Sequence, residues 1–335
     1  MTLSGGYAKI SLTLLHSEVF MKKSMQISAL LMAALMLFAC GNKQSDDTTT
    51  TTTTATTAAP APEEPVGGNL TITYDPKSGS AKDATGDNAV ELTVTRAYKE
   101  GDKITITLPE GQKYLAFCMA KGVVEETILY LPNSVFTFTA QNMTMSYPSE
   151  LTTKKCTITA RIPTVEELTA SRNLACNPAD LEKAKNVFPH ATSTSVHNKT
   201  NETDRLHFEA RNAIDGFKQN NGHGGFPVQS WGPTSSMRKS DNFTVQLGRD
   251  VSLTKIVIYI RADFPHDTYW DSCTVTFSDG STQEITLKKT ASAQTIELEV
   301  PVTTSSVKFS NFNKVAGSDW ASWMEVELIG SDIVG

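Results

Sequence analysis

The sequence predicts an all-β protein made of two β-sandwich domains joined by a short helical linker. Two regions of the chain alternate apolar and polar residues with the two-residue period of β-strands. Glycine, proline, asparagine and aspartate interrupt these runs at short intervals, as turns between strands require. Between the two regions, residues 164–189 carry the signal of a helix start. A chain of 335 residues, 39% of them hydrophobic, is long enough for two such cores.

The N-terminal part has the pattern of an export signal. We interpret residues 1–20 as a non-native extension and residues 21–39 as the signal, in which two lysines precede an apolar run that is too short to span a bilayer. The run closes on LFAC, which resembles the bacterial lipobox and implies that Cys40 carries a lipid and begins the mature protein. An ordinary signal peptide of a soluble protein is the alternative.

Residues 40–67 are expected to form a solvated tether, because threonine, alanine, proline and glycine without periodicity cannot build a core. The SDD at 45–47 resembles the export signal of surface lipoproteins in Bacteroidetes-type bacteria, and the DTT at 47–49 resembles their O-glycosylation acceptor. These resemblances imply a lipid-anchored protein on the outer membrane, facing the cell surface. A location on the periplasmic face and a plain acidic spacer are the alternatives.

The first sandwich is predicted over residues 68–163. Its strand-like runs are LTITY, AVELTVTRAY, DKITITLP, ILYLPNSVFTFTA and CTITARIP. The linker, residues 164–189, follows with Thr164 as a helix N-cap and Glu167 three residues later, which is the spacing of a capping box.

The second sandwich is predicted over residues 190–331. Six strand-like runs are visible, NFTVQLG, LTKIVIYIRADF, SCTVTFSDGSTQEITL, AQTIELEVP, SSVKFSNF and WMEVELIG. The SDGS between Phe277 and Ile285 predicts a hairpin turn.

A set of motifs in this second region occurs in a characteristic order: ARNAIDG, SW, VQLG, KIVIYIRAD, TFSDGS and MEVELIG. Their order and spelling resemble the galactose-binding-like, discoidin-type jelly rolls, which include many bacterial carbohydrate-binding modules. The resemblance covers most of residues 190–331. It implies a jelly roll that binds a glycan or glycoconjugate ligand.

The loop after KIVIYI is the first candidate for the ligand site. Arg261, Asp263 and His266 leave the end of a predicted strand and offer hydrogen bonds to sugar hydroxyls, while Trp270 or Trp320 offers an aromatic face. The alternative is structural: Arg261 pairs with Asp263 to hold the loop, and Trp270 begins the next core strand.

Two further residues bear on the predicted ligand site. His223, in the glycine-rich GHGG, is equally a sugar contact or a bystander in an exposed loop. Trp231 matches the core tryptophan of the resembling family, which favours packing over ligand stacking.

A structural calcium ion is a further expectation. Asp215 and Glu325 match positions that help to ligate Ca²⁺ in many relatives of the resembling family, together with backbone carbonyl oxygens. Asp215 capping its own turn is the alternative. No organic cofactor is expected.

The composition narrows the function classes. The net charge of -6 without a basic stripe argues against nucleic acid as a partner. The sequence lacks CxxC, HExxH, GxSxG and Walker motifs, so zinc, nucleophilic and nucleotide chemistry are unsupported. We therefore predict a non-catalytic glycan-binding protein. A protein-binding adhesion or scaffold lipoprotein and a carbohydrate-active enzyme are the alternatives.

Four cysteines follow Cys40. An exported chain permits disulfides, and Cys118 with Cys156 is one conceivable pair, but the connectivity cannot be deduced from the sequence. Cys176 and Cys273 are expected to be buried thiols.

Overall fold

The computed structural model describes residues 68–197, 202–219, 229–234, 237–262, 268–316 and 321–334. Within them the protein is almost entirely β, as predicted. No helix in these ranges combines the length and the apolar character needed to cross a bilayer. Cys40 and the whole of residues 1–67 lie outside the described residues, so the predicted export signal, anchor and tether stay predictions.

The first sandwich consists of two four-stranded antiparallel sheets with the strand orders β2-β1-β4-β7 and β3-β8-β5-β6. Apolar side chains alternate along each strand, so that one side of each sheet faces the shared core. Its strands are β1 (Leu70–Asp75), β2 (Lys82–Gly86), β3 (Ala89–Thr93), β4 (Lys103–Thr107), β5 (Tyr114–Cys118), β6 (Thr127–Tyr130), β7 (Val135–Thr139) and β8 (Thr157–Arg161).

Two of these strands were not predicted, for different reasons. β2 is a largely exposed edge strand, so its sequence KDATG shows no apolar alternation. β5 is buried on both faces from Leu115 to Cys118, so its sequence YLAFC is continuously apolar. Two short helices, α1 (Met143–Ser146) and α2 (Ser149–Thr153), also precede β8 without a clear sequence signal.

The linker contains one short helix, as predicted. α3 (Val165–Thr169) begins at Thr164, whose hydroxyl accepts from the Glu167 N–H while the Glu167 carboxylate accepts from the Thr164 N–H. The predicted capping box is therefore confirmed. The rest of the linker is irregular apart from the short strand β9 (Arg172–Asn173).

The second sandwich is built on antiparallel strands in the order β13-β12-β14-β11-β15-β9, with β10 pairing β11. A short helix and a turn of 3-10 helix precede the long strands. The elements are β10 (His190–Ser193), α4 (Glu202–His207), the 3-10 helix (Ala210–Ala213), β11 (Phe243–Ile260), β12 (Trp270–Phe277), β13 (Thr282–Thr286), β14 (Gln294–Lys314) and β15 (Trp323–Asp332).

Two pairs of predicted runs are single long strands in the structure. β11 joins NFTVQLG to the run that begins at Leu253, and its pairing with β14 shifts register between Gln246 and Val251. Gly248 lies in this shift with φ 72°, a conformation that favours glycine. Such irregularities let a long strand bend and continue. We predicted separate strands at these points because bulges and turns use the same residue types.

The SDGS hairpin forms as predicted between β12 and β13. The Gly280 N–H donates to the Phe277 carbonyl, and the Phe277 N–H donates to the Ser281 carbonyl. Gly280 has φ 86°.

The two sandwiches contact each other through a charged and aromatic cluster. The Arg249 guanidinium lies 5.7 Å from the Tyr114 ring centroid and 5.3 Å from that of Tyr130, both in the first sandwich. Its Nε donates to the buried Asp332 at 2.6 Å, and Arg172 of the linker also pairs with Asp332. The first sandwich, the linker and the last strand are thus held together directly.

All four described cysteines are free thiols. Cys118 and Cys156 are both buried, and the Cys118 thiol donates to the Val124 carbonyl at 3.0 Å instead of bridging to Cys156. Cys273 is buried, as expected, whereas Cys176 is half-buried.

Candidate functional site

Arg261 lies where β11 ends, at the rim of the second sandwich. Its N–H donates to the Ser322 carbonyl at 3.0 Å, next to the start of β15. The residue is only 7% exposed. This hydrogen bond fixes the main chain of Arg261 beside the segment that enters β15.

A half-exposed aromatic patch adjoins Ser322. Gly232 sits between Ser322 and Phe208, where an added Cβ would lie 3.0 Å from the Ser322 Oγ and 2.6 Å from the Phe208 ring. The Gly232 N–H donates to the Phe208 carbonyl, and the His197 N–H donates to the Gly232 carbonyl. The rings of His197 and Phe208 meet edge to face at 5.0 Å.

We call Arg261, Ser322, Gly232, Phe208 and His197 the rim patch. They come from five separate segments, which backbone hydrogen bonds and close packing bring together. The patch combines a guanidinium, a hydroxyl, an imidazole and a phenyl ring, which are the groups that bind sugar hydroxyls and the apolar face of a sugar ring.

Sequence reasoning missed Phe208 and His197. Neither lies in a run of strand-like residues, and nothing local distinguishes them from other loop residues. Phe208 directly precedes the segment EARNAIDG. Its place next to that motif is the one sequence signal that could have singled it out.

Four predicted ligand residues lie outside the described part of the chain. These are Asp263, His266, His223 and Trp320. Their roles stay predictions.

Trp270 is a correction to the predicted ligand set. Its residue is 3% exposed, and its ring stacks on that of Trp231 at a centroid distance of 5.3 Å. Phe312 and Trp323 complete the cluster around it. An indole enclosed in this way presents no face to a ligand, so Trp270 begins a core strand, in agreement with the structural alternative. Trp231, which is fully buried, is a core residue as expected.

The two predicted metal ligands lie close together in a buried part of the second sandwich. Glu325 on β15 is fully buried, and its Oε1 accepts from the Gly216 N–H at 3.1 Å, next to Asp215. The Asp215 Oδ1 accepts from the Phe217 N–H at 2.9 Å. The proximity of the two carboxyl groups therefore follows from one backbone hydrogen bond.

The hydrogen-bond donors to this carboxylate pair are incomplete. The Glu325 Oε2 is buried and has no hydrogen-bond partner among the described residues. Burial raises the pKa of Glu325 well above its ordinary value, and the charge of Asp215 raises it further. Burial likewise raises the pKa of Asp215, which the Phe217 N–H and the charge of Arg211 offset only in part.

Nearby cations are engaged elsewhere. Lys218 pairs with Glu327, and Arg211 donates from Nε to Glu209 at 2.8 Å. Among the described residues no three histidine, cysteine, aspartate or glutamate side chains are grouped to hold a metal. A metal at Asp215 and Glu325 would therefore need backbone carbonyl oxygens as well, which is the ligand set that the sequence resemblance implies. Hard oxygen ligands of this kind suit Ca²⁺.

Comparisons with known proteins give structural neighbours only. No family model matches the chain, and no curated protein matches it. One solved structure similar to this chain is a family 32 CBM from C. perfringens NanJ in complex with galactose, with 19% identity, a TM-score of 0.32 and coverage of 42% of this chain and 91% of that one.

Two further structures illustrate the range of neighbours. A Streptococcus pneumoniae fucose binding module has 14% identity and a TM-score of 0.32, covering 48% of this chain and 96% of its own. Discoidin II of Dictyostelium discoideum has 18% identity and a TM-score of 0.32, covering 43% of this chain and 56% of its own. These are the kinds of domain that the sequence motifs resemble, and similarity at this level supports no conclusion about the ligand.

Proposed function

We propose that this chain is a lipid-anchored binding protein of the bacterial outer membrane, exposed at the cell surface, whose C-terminal sandwich captures carbohydrate. The rim patch carries the proposal. It places Arg261, Ser322, His197 and Phe208 at one end of the sandwich, where the predicted ligand loop also begins. The ordered sequence motifs of residues 210–330 support the same function.

The rim patch suits a small sugar unit better than an apolar ligand. Phe208 is half-buried and therefore presents part of its ring, the Ser322 hydroxyl lies on the other side of Gly232, and the Arg261 N–H is bonded to the Ser322 carbonyl. Backbone hydrogen bonds fix these residues before a ligand arrives, which reduces the entropy that binding must offset.

A glycan array probed with the full chain tests this function. Galactose- and fucose-terminated glycans are included because the similar modules from C. perfringens and Streptococcus pneumoniae bind these two sugars. We expect Phe208→Ala and Arg261→Ala each to weaken binding about tenfold, or about 1.4 kcal/mol. Phe208→Tyr keeps the aromatic face and should bind like the parent.

Arg161→Ala, in the first sandwich, is the matched control for removing an arginine, because Arg161 pairs there with Glu126 and Glu167. Melting curves of all variants separate lost binding from lost folding. If folded Phe208→Ala and Arg261→Ala bind every glycan as the parent does, the rim patch is not the site.

The Asp215 and Glu325 pair is proposed to hold a structural Ca²⁺. The proposal rests on two buried carboxyl groups close together and on the unpartnered Oε2 of Glu325. A bound cation would compensate both charges and tie β15 to the turn at Gly216, close to the rim elements. This role is structural and involves no contact between the metal and the sugar.

Chelation tests the metal proposal. A ligand that binds only the folded state stabilises it by about 2.7 kcal/mol at a hundredfold excess over its Kd. EDTA should therefore lower the melting temperature of the full chain, and added Ca²⁺ should restore it. Asp215→Asn should abolish the response to Ca²⁺. A melt that is indifferent to both EDTA and Ca²⁺ would contradict the site.

The proposed anchor is tested separately. Cys40→Ser should move the protein from the membrane fraction to the soluble fraction, because lipid attachment contributes about 0.8 kcal/mol for each buried CH₂. Protease treatment of intact cells then reports whether the parent faces the outside. Retention of Cys40→Ser in the membrane fraction would rule out Cys40 as the anchor.

A further inference from the structure

The sheet edges of the first sandwich differ in how they are protected. Free edges pair readily with other chains, and proteins usually block them with charged residues, proline or a covering segment. Lys82 and Asp83 lie on β2, Glu91 lies on β3, and Tyr130 of β6 exchanges backbone hydrogen bonds with Phe188 of the linker. β7 has the sequence Val-Phe-Thr-Phe-Thr, without charge or proline, and no segment among the described residues pairs with its outer side.

The register shows which backbone groups of β7 face outward. The Leu108 N–H donates to the Ser134 carbonyl at 2.8 Å, and the Ala140 N–H donates to the Asp102 carbonyl at 2.7 Å. Because antiparallel pairs alternate, Phe136 and Phe138 also bond to β4.

The N–H and C=O groups of Val135, Thr137 and Thr139 must then point away from the sheet. Within the described ranges, these three residues make no backbone hydrogen bond on that side. The side chains of Val135 and Thr137 are exposed. The edge is therefore free for an additional strand.

A groove runs along this edge. It has a volume of about 560 Å³ and lies between β7 and residues 181–187 of the linker, with Arg205, Leu206 and Glu209 also in its wall. This volume is within the range of about 300–1,000 Å³ that is usual for ligand pockets. An extended segment that pairs with β7 would have the linker on its other side.

The charges of the groove are unevenly compensated. Arg205 lies 2.5 Å from both Glu182 and Glu209. Glu100 accepts the N–H groups of Asn142 and Met143 at 2.8 and 2.6 Å. Glu182 and Glu209 are therefore ion-paired, whereas Glu100 is held by backbone N–H groups and keeps its negative charge.

Lys183 and Lys185 differ from these acidic groups. Both line the groove, both are exposed, and neither forms an ion pair within the part of the chain that the structure describes. These two lysines are therefore the basic side chains of the groove wall that carry no ion pair among the described residues, and they lie across the groove from the open edge.

We propose that the β7 edge binds an extended acidic peptide segment of a partner protein. The segment adds to the sheet as a fifth strand through the outward backbone groups of Val135, Thr137 and Thr139, and its carboxylates face Lys183 and Lys185. Strand addition of this kind obtains affinity from main-chain hydrogen bonds and specificity from side chains. The regular spacing of donors and acceptors along the edge favours a peptide over an acidic polysaccharide, which lacks a matching repeat.

Fluorescence anisotropy with the full chain tests the proposal. The probes are a fluorescein-labelled heptapeptide of alternating valine and glutamate and the same peptide with lysine in place of glutamate. We expect the acidic peptide to bind at least tenfold more tightly than the basic one. Equal binding of the two peptides, or no binding of the acidic one, would overturn the proposal.

Two pairs of variants locate the binding. Thr137→Pro removes an outward N–H that β4 does not use and should weaken the acidic peptide at least tenfold, whereas Thr137→Val keeps that N–H and should bind normally. The double variant Lys183→Glu and Lys185→Glu should lose the preference for the acidic peptide. Its control, Lys155→Glu with Lys239→Glu, changes two exposed lysines outside the groove and should keep the preference.

Melting curves and a polysaccharide complete the design. If Thr137→Pro fails to fold, the lysine variants decide the outcome alone. Acidic oligogalacturonate is tested as a competitor. Suppose that oligogalacturonate displaces the peptide and binds the Thr137→Pro variant as tightly as it binds the parent. The groove then binds acidic ligands by charge without strand addition, and the proposal is wrong.

Discussion

The two sandwiches each bury a carboxylate, and the two carboxylates are treated differently. In the first sandwich, the Asp102 side chain is fully buried and accepts four hydrogen bonds. In the second, Glu325 is equally buried but has one oxygen with no partner among the described residues. The buried carboxyl group therefore has hydrogen-bond donors for both oxygens in the first sandwich and, among the described residues, for only one oxygen in the second.

The donors to Asp102 come from three parts of the first sandwich. The Tyr74 hydroxyl donates at 2.6 Å, the Arg96 guanidinium at 2.7 Å, and the N–H groups of Lys77 and Lys99 at 3.0 and 2.9 Å. Burial by itself raises the pKa of Asp102, but the hydrogen bonds from Tyr74, Arg96 and the two N–H groups outweigh it, and the pKa lies below its ordinary value. Asp102 thus joins β1, β4 and the loop between β3 and β4.

The difference in hydrogen-bond donors between Asp102 and Glu325 indicates a different role for each carboxyl group. A full set of donors offsets the desolvation cost of a buried charge, and removing that charge alone leaves its donors unpaired. A buried pair of carboxyl groups with an incomplete set of donors is costly to ionise until a cation compensates it. Other contacts must therefore stabilise the second sandwich. We assign this role to the packed rings of Trp231, Trp270 and Trp323.

The largest predicted effect concerns that aromatic cluster. Trp270→Ala should destabilise the second sandwich by about 3–5 kcal/mol, because it removes a buried indole from a packed core. Urea unfolding followed by intrinsic fluorescence measures this, with Trp270→Phe as the milder control. A folded Trp270→Ala protein of parental stability that no longer binds glycan would return Trp270 to the ligand site.

The next effect tests the saturated carboxylate. Asp102→Asn should destabilise the first sandwich by about 3 kcal/mol, because Arg96 and one backbone N–H lose a charged acceptor in a buried site. Urea unfolding of the full chain measures the change. Asp83→Asn, on the exposed strand β2, should change stability by less than about 0.5 kcal/mol.

The matching change in the second sandwich should have the opposite sign. In EDTA, Glu325→Gln replaces a buried ionisable carboxyl group, one of whose oxygens has no partner among the described residues, with a neutral amide, so it should stabilise the protein by about 1–3 kcal/mol. In Ca²⁺ the same variant should be less stable than the parent, since it lacks a metal ligand. Destabilisation of equal size in both buffers would show that Glu325 acts like Asp102 and would remove the distinction.

The smallest effect is the response of the first sandwich to acid. The pKa of Asp102 is lowered in the folded state, so its contribution is complete above the unfolded value near 3.8 and is lost as the pH falls through the folded value. Stability measured from pH 6 downward should therefore fall more steeply in the parent than in Asp102→Asn. Parallel curves for the two proteins would mean that Asp102 does not carry the acid response.

Local sequence signals located most of the regular elements. Alternating residues identified β1, β4 and β8, because in these strands one side chain in two enters the core. The capping box of α3 and the SDGS hairpin were also correct, since each depends on residues within a few positions of one another. By contrast, β2 and β5 escaped notice because an edge strand and a strand buried on both faces lack the alternation.

The residues of the candidate site also fall into two groups, those that local sequence signals predicted and those that only the tertiary structure brought together. The sequence by itself determined an all-β chain, the strand that delivers Arg261 to the rim, and the positions of Asp215 and Glu325 through the resemblance of their motifs. Only the tertiary structure decided that Trp270 packs against Trp231 and that Phe208 and His197 join the rim. Strands and turns follow from neighbours along the chain, whereas burial depends on contacts between segments far apart in sequence, and these are fixed only when the sheets pack.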